Sequence, residues 1–225
     1  MTSVNIHAIL LMFTIVNIET IYSTASKERT DLKEKSYHHG NLQIELIEKG
    51  LTLIHEEGRV NFSLRKLAKR VGVSPTACYN HYANADELLI AMKNYVVKKF
   101  CAALTVDTGE CGMADATIRM GKAYVNFFAS NPHYFSFIYE NEDYRIDLTN
   151  DSFDGNFEPF CIFKKTALQC MEFNHISKEK HHDNLIIMWA TVHGLAAMAN
   201  MKGFHYEKDW SALAEKLLVT KVNLL

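Results

Sequence analysis

The densest run of groups able to do chemistry lies between residues 63 and 81, where Ser63, Arg65, Ser74, Thr76, Tyr79, Asn80 and His81 follow one another at short intervals. They are hydroxyls, an amide, a guanidinium and an imidazole, all suited to hydrogen bonding. No nucleophile-and-base pattern accompanies them. The chain has no GxSxG, GxGxxG, phosphate-loop or HExxH sequence, and His55-Glu56-Glu57 lacks the second histidine of a zinc-binding helix. Catalytic residues are therefore not assigned, and the expected chemistry is recognition.

Metal binding is the rival reading, motivated by eleven histidines and by His175, His181 and His182 lying close together. The step from His175 to the pair is not a single helical turn, and Lys178 and Lys180 intervene. A metal-responsive sensor thus stays an alternative, with no metal ligand and no cofactor assigned. Five cysteines, at 78, 101, 111, 161 and 170, form an odd set without a CxxC pair. That signals neither a disulfide framework nor a structural zinc site, and it fits a reducing cytoplasm with the thiols as small apolar core groups.

The elements that must position the polar run are helices. Three prolines and ten glycines in 225 residues are too few for the turns of a sandwich or barrel, while 48% apolar residues can bury a core. Leu42, Leu46, Ile47, Leu51, Leu53 and Ile54 recur at helix spacing, with Asn41 as N-cap and Gly58 ending the run. Ser63 can cap a second helix whose apolar side is Leu64, Leu67, Ala68 and Val71, stopped by Gly72. Next comes Gly72-Val73-Ser74-Pro75. Glycine takes the left-handed backbone of a tight turn, serine accepts from the first free amides, and proline at the first helical position forfeits no hydrogen bond. A third helix should start at Pro75 and run through His81, and a fourth should begin near Asp86, where an acid favours the helix N-terminus.

Two short helices joined by so tight a turn need a small residue where they cross. Ala68 supplies it, and Leu67, Val71, Val73 and Cys78 can close a miniature core. This is the helix-turn-helix pattern. An ordinary helical hairpin would account for the helices but not for Ala68, Gly72, Ser74 and Pro75 coinciding with exposed polar residues on the third helix. Charge points the same way: residues 33–100 hold eleven Lys and Arg against seven Asp and Glu, whereas 101–225 hold eleven against sixteen. A basic small segment on an acidic larger one is the footprint of a chain whose first part meets a polyanion.

The stretch SLRKLAKRVGVSPTACYNHYANADELL, Ser63 to Leu89, closely resembles the signature of the TetR family of bacterial regulators. The resemblance extends over residues 37 to about 95, including Tyr37-His38-His39-Gly40-Asn41-Leu42, and Trp189-Ala-Thr-Val-His193-Gly194 resembles the Trp-xxx-His-Gly element of one subgroup. It implies an all-α fold, with a three-helix helix-turn-helix head followed by a larger helical ligand-binding and dimerisation domain. The boundaries expected are an extension at 1–35, a DNA-binding domain at 36–95 and an effector-binding and dimerisation domain at 96–225. It also implies a cytoplasmic homodimer, not associated with membranes, that binds double-stranded DNA at a near-palindromic operator as a repressor released by a small apolar or aromatic effector.

By the same resemblance, Ser63 and Arg65 face the DNA backbone or groove edge, and Ser74, Pro75, Thr76, Ala77, Tyr79, Asn80 and His81 lie on or beside the recognition helix. Many members carry lysine just before the fourth helix; Ala85 stands there, so that phosphate contact must be missing or replaced. In such a head Asn80 can bond adenine and Arg65 guanine, each good pair giving about 1 to 3 kcal/mol of discrimination. The hydroxyls of Tyr79, Thr76 and Ser74 suit phosphate oxygens. Lys66, Lys69 and Arg70 either join them or form a solvated helix face, and His38 and His39 either reach a phosphate or lie in a lead-in.

Farther on, helical stretches read at 86–104, 115–130, 156–174, 183–201 and 209–222, with a break at Asn131-Pro132 and an acidic link at 140–155. Family analogy makes the last two the dimerisation helices. Leu185, Ile186, Trp189, Val192 and Ala196 can share one face, and Leu213, Leu217 and Leu218 another. Phe127, Phe128, Phe135, Trp189 and His193, within a wider set of Tyr134, Phe137, Tyr139, Phe160 and Phe163, form either an effector pocket or plain core. At the other end, the apolar run at 6–16 has the length of a signal-peptide core and is followed by Ser23-Thr24-Ala25-Ser26, but no Lys or Arg precedes it. It is expected to be an extension outside the fold.

Overall fold

The computed structural model describes residues 42–105, 113–139, 146 and 157–221. The apolar run at 6–16, the Asn41 cap, His38 and His39, and all of the acidic link except Ile146 lie outside them. Contacts divide the chain into Met1–Leu46, of which only a helical stretch at 42–46 is described, and Ile47–Leu225.

Every regular element among the described residues is helical. They are α1 (42–57), α2 (Leu64–Val71), α3 (Pro75–Tyr79), α4 (Ala85–Leu104), α5 (Ala116–Ser130), α6 (Pro132–Tyr139), α7 (Glu158–Phe173), α8 (His181–Asn200) and α9 (Trp210–Lys221), with 3-10 turns at Arg59–Asn61 and Lys178–Lys180. No described helix is long and apolar enough to cross a membrane.

Two elements differ from expectation for identifiable reasons. Helix α4 begins at Ala85 because the Asn84 side chain accepts from the Glu87 amide at 2.8 Å while the Glu87 carboxylate accepts from the Ala83 amide at 2.6 Å. That reciprocal cap outweighs the acid-first argument for Asp86. The proline step at 131–132 breaks α5 as expected, but Pro132 then opens the eight-residue helix α6. An isolated helix of this length is marginal, and aromatic residues form helices poorly. Burial of Tyr134, Phe137 and Ile138 makes it.

Helix α4 carries the longest apolar strip, Leu88, Met92, Val96, Phe100 and Leu104, each essentially without solvent exposure. Full burial of such side chains contributes about 1.5 to 3 kcal/mol apiece, so α4 is held along its whole length. Helix α5 is central to the later helices and packs on α4, α6, α7, α8 and α9. Its inward row includes Met120, Tyr124, Val125 and Phe128. On α8 the row Leu185, Trp189, Val192 and Ala196 is buried, but Ile186 is 39% exposed and leaves the face assigned to it. At 100° per residue it lies a quarter-turn from Leu185. Leu218 of α9 is buried, whereas Leu213 and Leu217 are half-buried.

Candidate nucleic-acid interface

The unit α2–turn–α3 is built by local chemistry. Ser63 Oγ accepts from the Lys66 amide at 3.3 Å, and Ser74 Oγ accepts from the Ala77 amide at 3.2 Å, so each helix begins on a serine cap. Between them Gly72 takes φ 82° and ψ 26°, the left-handed conformation that strains any residue with a Cβ. Its amide donates to Ala68 O at 2.9 Å and the Val73 amide to the same oxygen at 3.0 Å, closing α2. Pro75 occupies the first turn of α3.

Beneath this turn Leu64, Leu67, Ala68 and Cys78 are buried, joined by Tyr82. Val71 and Val73, expected to help close the core, are only half-buried. Tyr82 was missed because it lies past the last turn of α3, where helical periodicity no longer predicts which way a side chain points. The α1 backbone also approaches closely: a Cβ on Gly50 would come within 2.0 Å of Met92 Cε and 3.6 Å of Leu67 Cδ2. Burial pushes the Cys78 thiol up from its ordinary range. It serves as a small apolar group, whereas the buried Cys170 departs from that expectation, its Sγ accepting from the Thr117 hydroxyl at 3.1 Å and donating to Ala114 O at 3.4 Å, and Cys101 and Cys161 are half-buried. Burial and the neighbouring Glu158 carboxylate raise Cys101 to about 11.

The expected contact residues fall on the outside of this unit. Arg65, Ser74, Pro75, Thr76, Tyr79 and Asn80 are exposed, while Ser63, Ala77 and His81 are half-buried. Helix α3 is shorter than expected and ends at Tyr79, so Asn80 is its C-cap residue and His81 follows the helix. Lys66 pairs with Glu57 at 3.1 Å and Arg70 with Glu56 at 2.6 Å, so both brace α2 against the last turn of α1. Arg65 and Lys69 are exposed and form no ion pair among the described residues. Arg65 thus offers an exposed guanidinium on the first turn of α2. Among the described residues, no three His, Cys, Asp or Glu side chains are grouped to hold a metal ion.

Two family models match the chain and together span well over half of it. "Bacterial regulatory proteins, tetR family" matches residues 46–92, and "Tetracyclin repressor-like, C-terminal domain" matches residues 118–220. The chain belongs to the TetR family. Solved structures of similar fold include a TetR-family transcriptional regulator from Haemophilus influenzae, at 20% identity and TM-score 0.57 over 80% of this chain and 96% of that one. A tetR-family regulatory protein from Rhodococcus RHA1 has 17% identity and TM-score 0.58, over 81% of this chain and 95% of that one. The TetR-family regulator PfmR from Thermus thermophilus has 16% identity and TM-score 0.54, with 80% and 95% covered. No curated protein sequence matches the chain. As a member of the TetR family it is a helix-turn-helix transcription regulator and not an enzyme.

The second family model covers the aromatic cluster of this TetR-family chain. Phe128 packs on Phe135 and Tyr139 at ring-centroid distances of 5.3 and 5.6 Å, and Trp189 contacts Phe160 and Phe163 at 5.0 and 5.3 Å. His193 lies among Phe135 (5.5 Å), Tyr139 (4.6 Å) and Trp189 (5.9 Å, stacked). Its Nδ1 is 3.0 Å from the Tyr124 hydroxyl, which also meets the Tyr139 hydroxyl at 2.7 Å. Burial holds the His193 imidazole below its ordinary pKa, favouring the neutral ring. Four of the five expected effector residues, Phe128, Phe135, Trp189 and His193, thus share one cluster. Phe127 reaches the cluster through Phe128 (5.1 Å) and packs also on Phe100 (5.0 Å) and Tyr134 (5.7 Å).

Tyr124, the hub of this polar chain, was not singled out from sequence. A tyrosine inside an apolar helical row carries no mark of a polar role; the only signal was its place one turn before Phe128. The cluster is packed with its own rings. A groove of about 170 Å³ lies elsewhere, between Leu89 and Ile90 of α4 and Phe137 and Ile138 of α6.

Proposed function

We propose that the chain is a repressor that binds a near-palindromic site on double-stranded DNA as a cytoplasmic homodimer and is released by a small apolar or aromatic effector. The observation that carries the reading is the exposed edge of α3, where Thr76, Tyr79 and Asn80 stay exposed on a capped, well-packed unit whose helix α2 also presents Arg65 to solvent. Helix α3 enters the major groove, where Asn80 and Arg65 read base edges and Ser74, Thr76 and Tyr79 bond phosphates. Ser63, Pro75, Ala77 and His81 line the same edge. The DNA-reading domain is taken as 36–95 and the effector and dimerisation domain as 96–225, with 1–35 as an extension.

Dimerisation is assigned to the outer stripe of α8. Ile187 is 38% exposed there, Ala190 is exposed, and a Cβ on Gly194 would meet nothing within 4 Å. A glycine inside a helix costs about 1 kcal/mol relative to alanine, and no described residue requires it. Close approach of a second copy supplies the reason. Two heads on half-sites about 34 to 36 Å apart then read a two-fold site.

The effector site is assigned to Phe128, Phe135, Trp189 and His193, with Phe127 behind Phe128. Because these rings pack on one another, an effector enters by displacing Phe135 or Tyr139 of α6. The test is selection of duplexes from a random-sequence library by the full chain, followed by gel shifts of wild type and Asn80→Ala. Asn80→Ala should weaken the selected duplex by about 1 to 3 kcal/mol without changing the melting temperature. Unchanged selectivity would remove Asn80 from the reading edge, and selection of no duplex by a folded dimer would overturn the DNA-binding reading.

A further inference from the structure

Outside the reading edge and the aromatic cluster, a carboxylate on α1 gathers several donors. Glu48 Oε1 accepts from the Tyr95 hydroxyl at 2.5 Å, the Tyr134 hydroxyl at 2.6 Å and Lys99 Nζ at 3.0 Å, while its Oε2 lies 3.6 Å from His133 Nε2. Lys99 Nζ also donates to the Tyr134 hydroxyl at 3.0 Å and sits 4.6 Å from the Tyr95 ring centre. Two turns along α1, His55 Nδ1 meets Ser136 Oγ at 2.9 Å. Helix α6 is therefore clasped to α1 at two points, and Glu48 gathers three helices on one carboxylate.

The opposite face of α6 does something different. At 100° per residue His133, Tyr134 and Ser136 fall towards one side of the helix and Phe135 and Tyr139 towards the other. The second pair contacts His193 at 5.5 and 4.6 Å. Helix α1, for its part, is packed within the head at Gly50, against Met92 and Leu67. A displacement of α6 from the aromatic side is thus delivered to α1 wherever the two are bonded.

We propose that Glu48 is the positioning residue through which α6 sets the attitude of the DNA-reading head, so that occupation of the aromatic cluster is felt at the head through the Glu48–Tyr134 bond. The inference rests on the DNA-binding and effector-site readings above and adds the residue that couples them. Burial opposes ionisation of Glu48, but bonds from Tyr134, Tyr95 and Lys99 and the lysine charge overcome it and hold the carboxyl at about 2, so the latch is ionised at neutral pH.

The test uses the full chain, the duplex that the wild type selects, and the same duplex with one half-site scrambled. Glu48→Gln, Tyr134→Phe and the double variant are compared by binding and by thermal melting. A positioning role predicts at least about fivefold weaker binding to the two-half-site duplex, acceptance of other half-site spacings, and unchanged affinity for the single half-site. The double variant should be no weaker than Glu48→Gln, because both remove one link. A merely structural role would lower both affinities together with the melting temperature, and that result overturns the proposal, as do unchanged spacing preference and additive losses. If the wild type selects no duplex, the DNA-binding reading falls and takes the coupling with it; that failure is visible before any variant is made.

Discussion

The helix-turn-helix and the aromatic cluster hold their functional groups in opposite ways. In the first, backbone devices do the work: Ser63 and Ser74 cap, Gly72 turns, Pro75 starts α3, and the reading side chains stay exposed. In the second, side chains hold one another: His193 is oriented by Tyr124 and enclosed by Phe135, Tyr139 and Trp189. A surface that must meet DNA needs a rigid backbone and free side chains. The proposed effector site, lined by rings that pack on one another, would admit a ligand at the cost of moving the helix that bears Phe135 and Tyr139.

The sharpest way to break this comparison is Phe100→Ala. Phe100 is fully buried and contacts Tyr124, Phe127 and Phe128 at 5.0, 5.0 and 4.6 Å. Its removal should destabilise the chain by about 3 to 5 kcal/mol in denaturant titration. A loss below about 1 kcal/mol would mean that the cluster is loosely filled, outside the range expected for a packed aromatic core.

Gly72→Ala probes the other side. Nothing within 4 Å would obstruct a new Cβ, so the expected cost of about 1 to 2 kcal/mol comes from the left-handed backbone alone. If the variant melts like the wild type, the turn is not specified by conformational strain.

The smallest effect expected is pH-dependent. Burial lowers the folded-state pKa of His193 below 6.5. Its stabilising contribution is therefore full above that value and is lost as the solution is acidified through the lowered one. His133 is lowered in the same sense, with burial outweighing the attraction of Glu48. His193→Asn places an amide where Nδ1 meets Tyr124 and removes the imidazole titration, so its melting temperature should fall less than that of the wild type between about pH 7 and pH 5. Parallel curves would show that His193 does not titrate in that window.

These differences trace what could be read from sequence. The head was legible in detail because its determinants are neighbours in the chain: a serine three residues before the amide it caps, a glycine at a turn, a proline at a helix start, and apolar residues at helical spacing. Its errors were at the margins, at Tyr79 and Tyr82, where the end of the helix and of its periodicity decided. In the later helices the sequence determined that long helices form and roughly where they lie, and it marked most of the aromatic residues. It did not determine helix α6, which tertiary burial makes from residues of poor intrinsic propensity, nor the packing of Phe127 on Phe100 and Tyr134. The Glu48 latch was least legible of all: its partners lie 47, 51 and 86 positions farther along. A carboxylate on an amphipathic helix looks the same in sequence whether it faces water or three donors, because only packing decides which helices reach it.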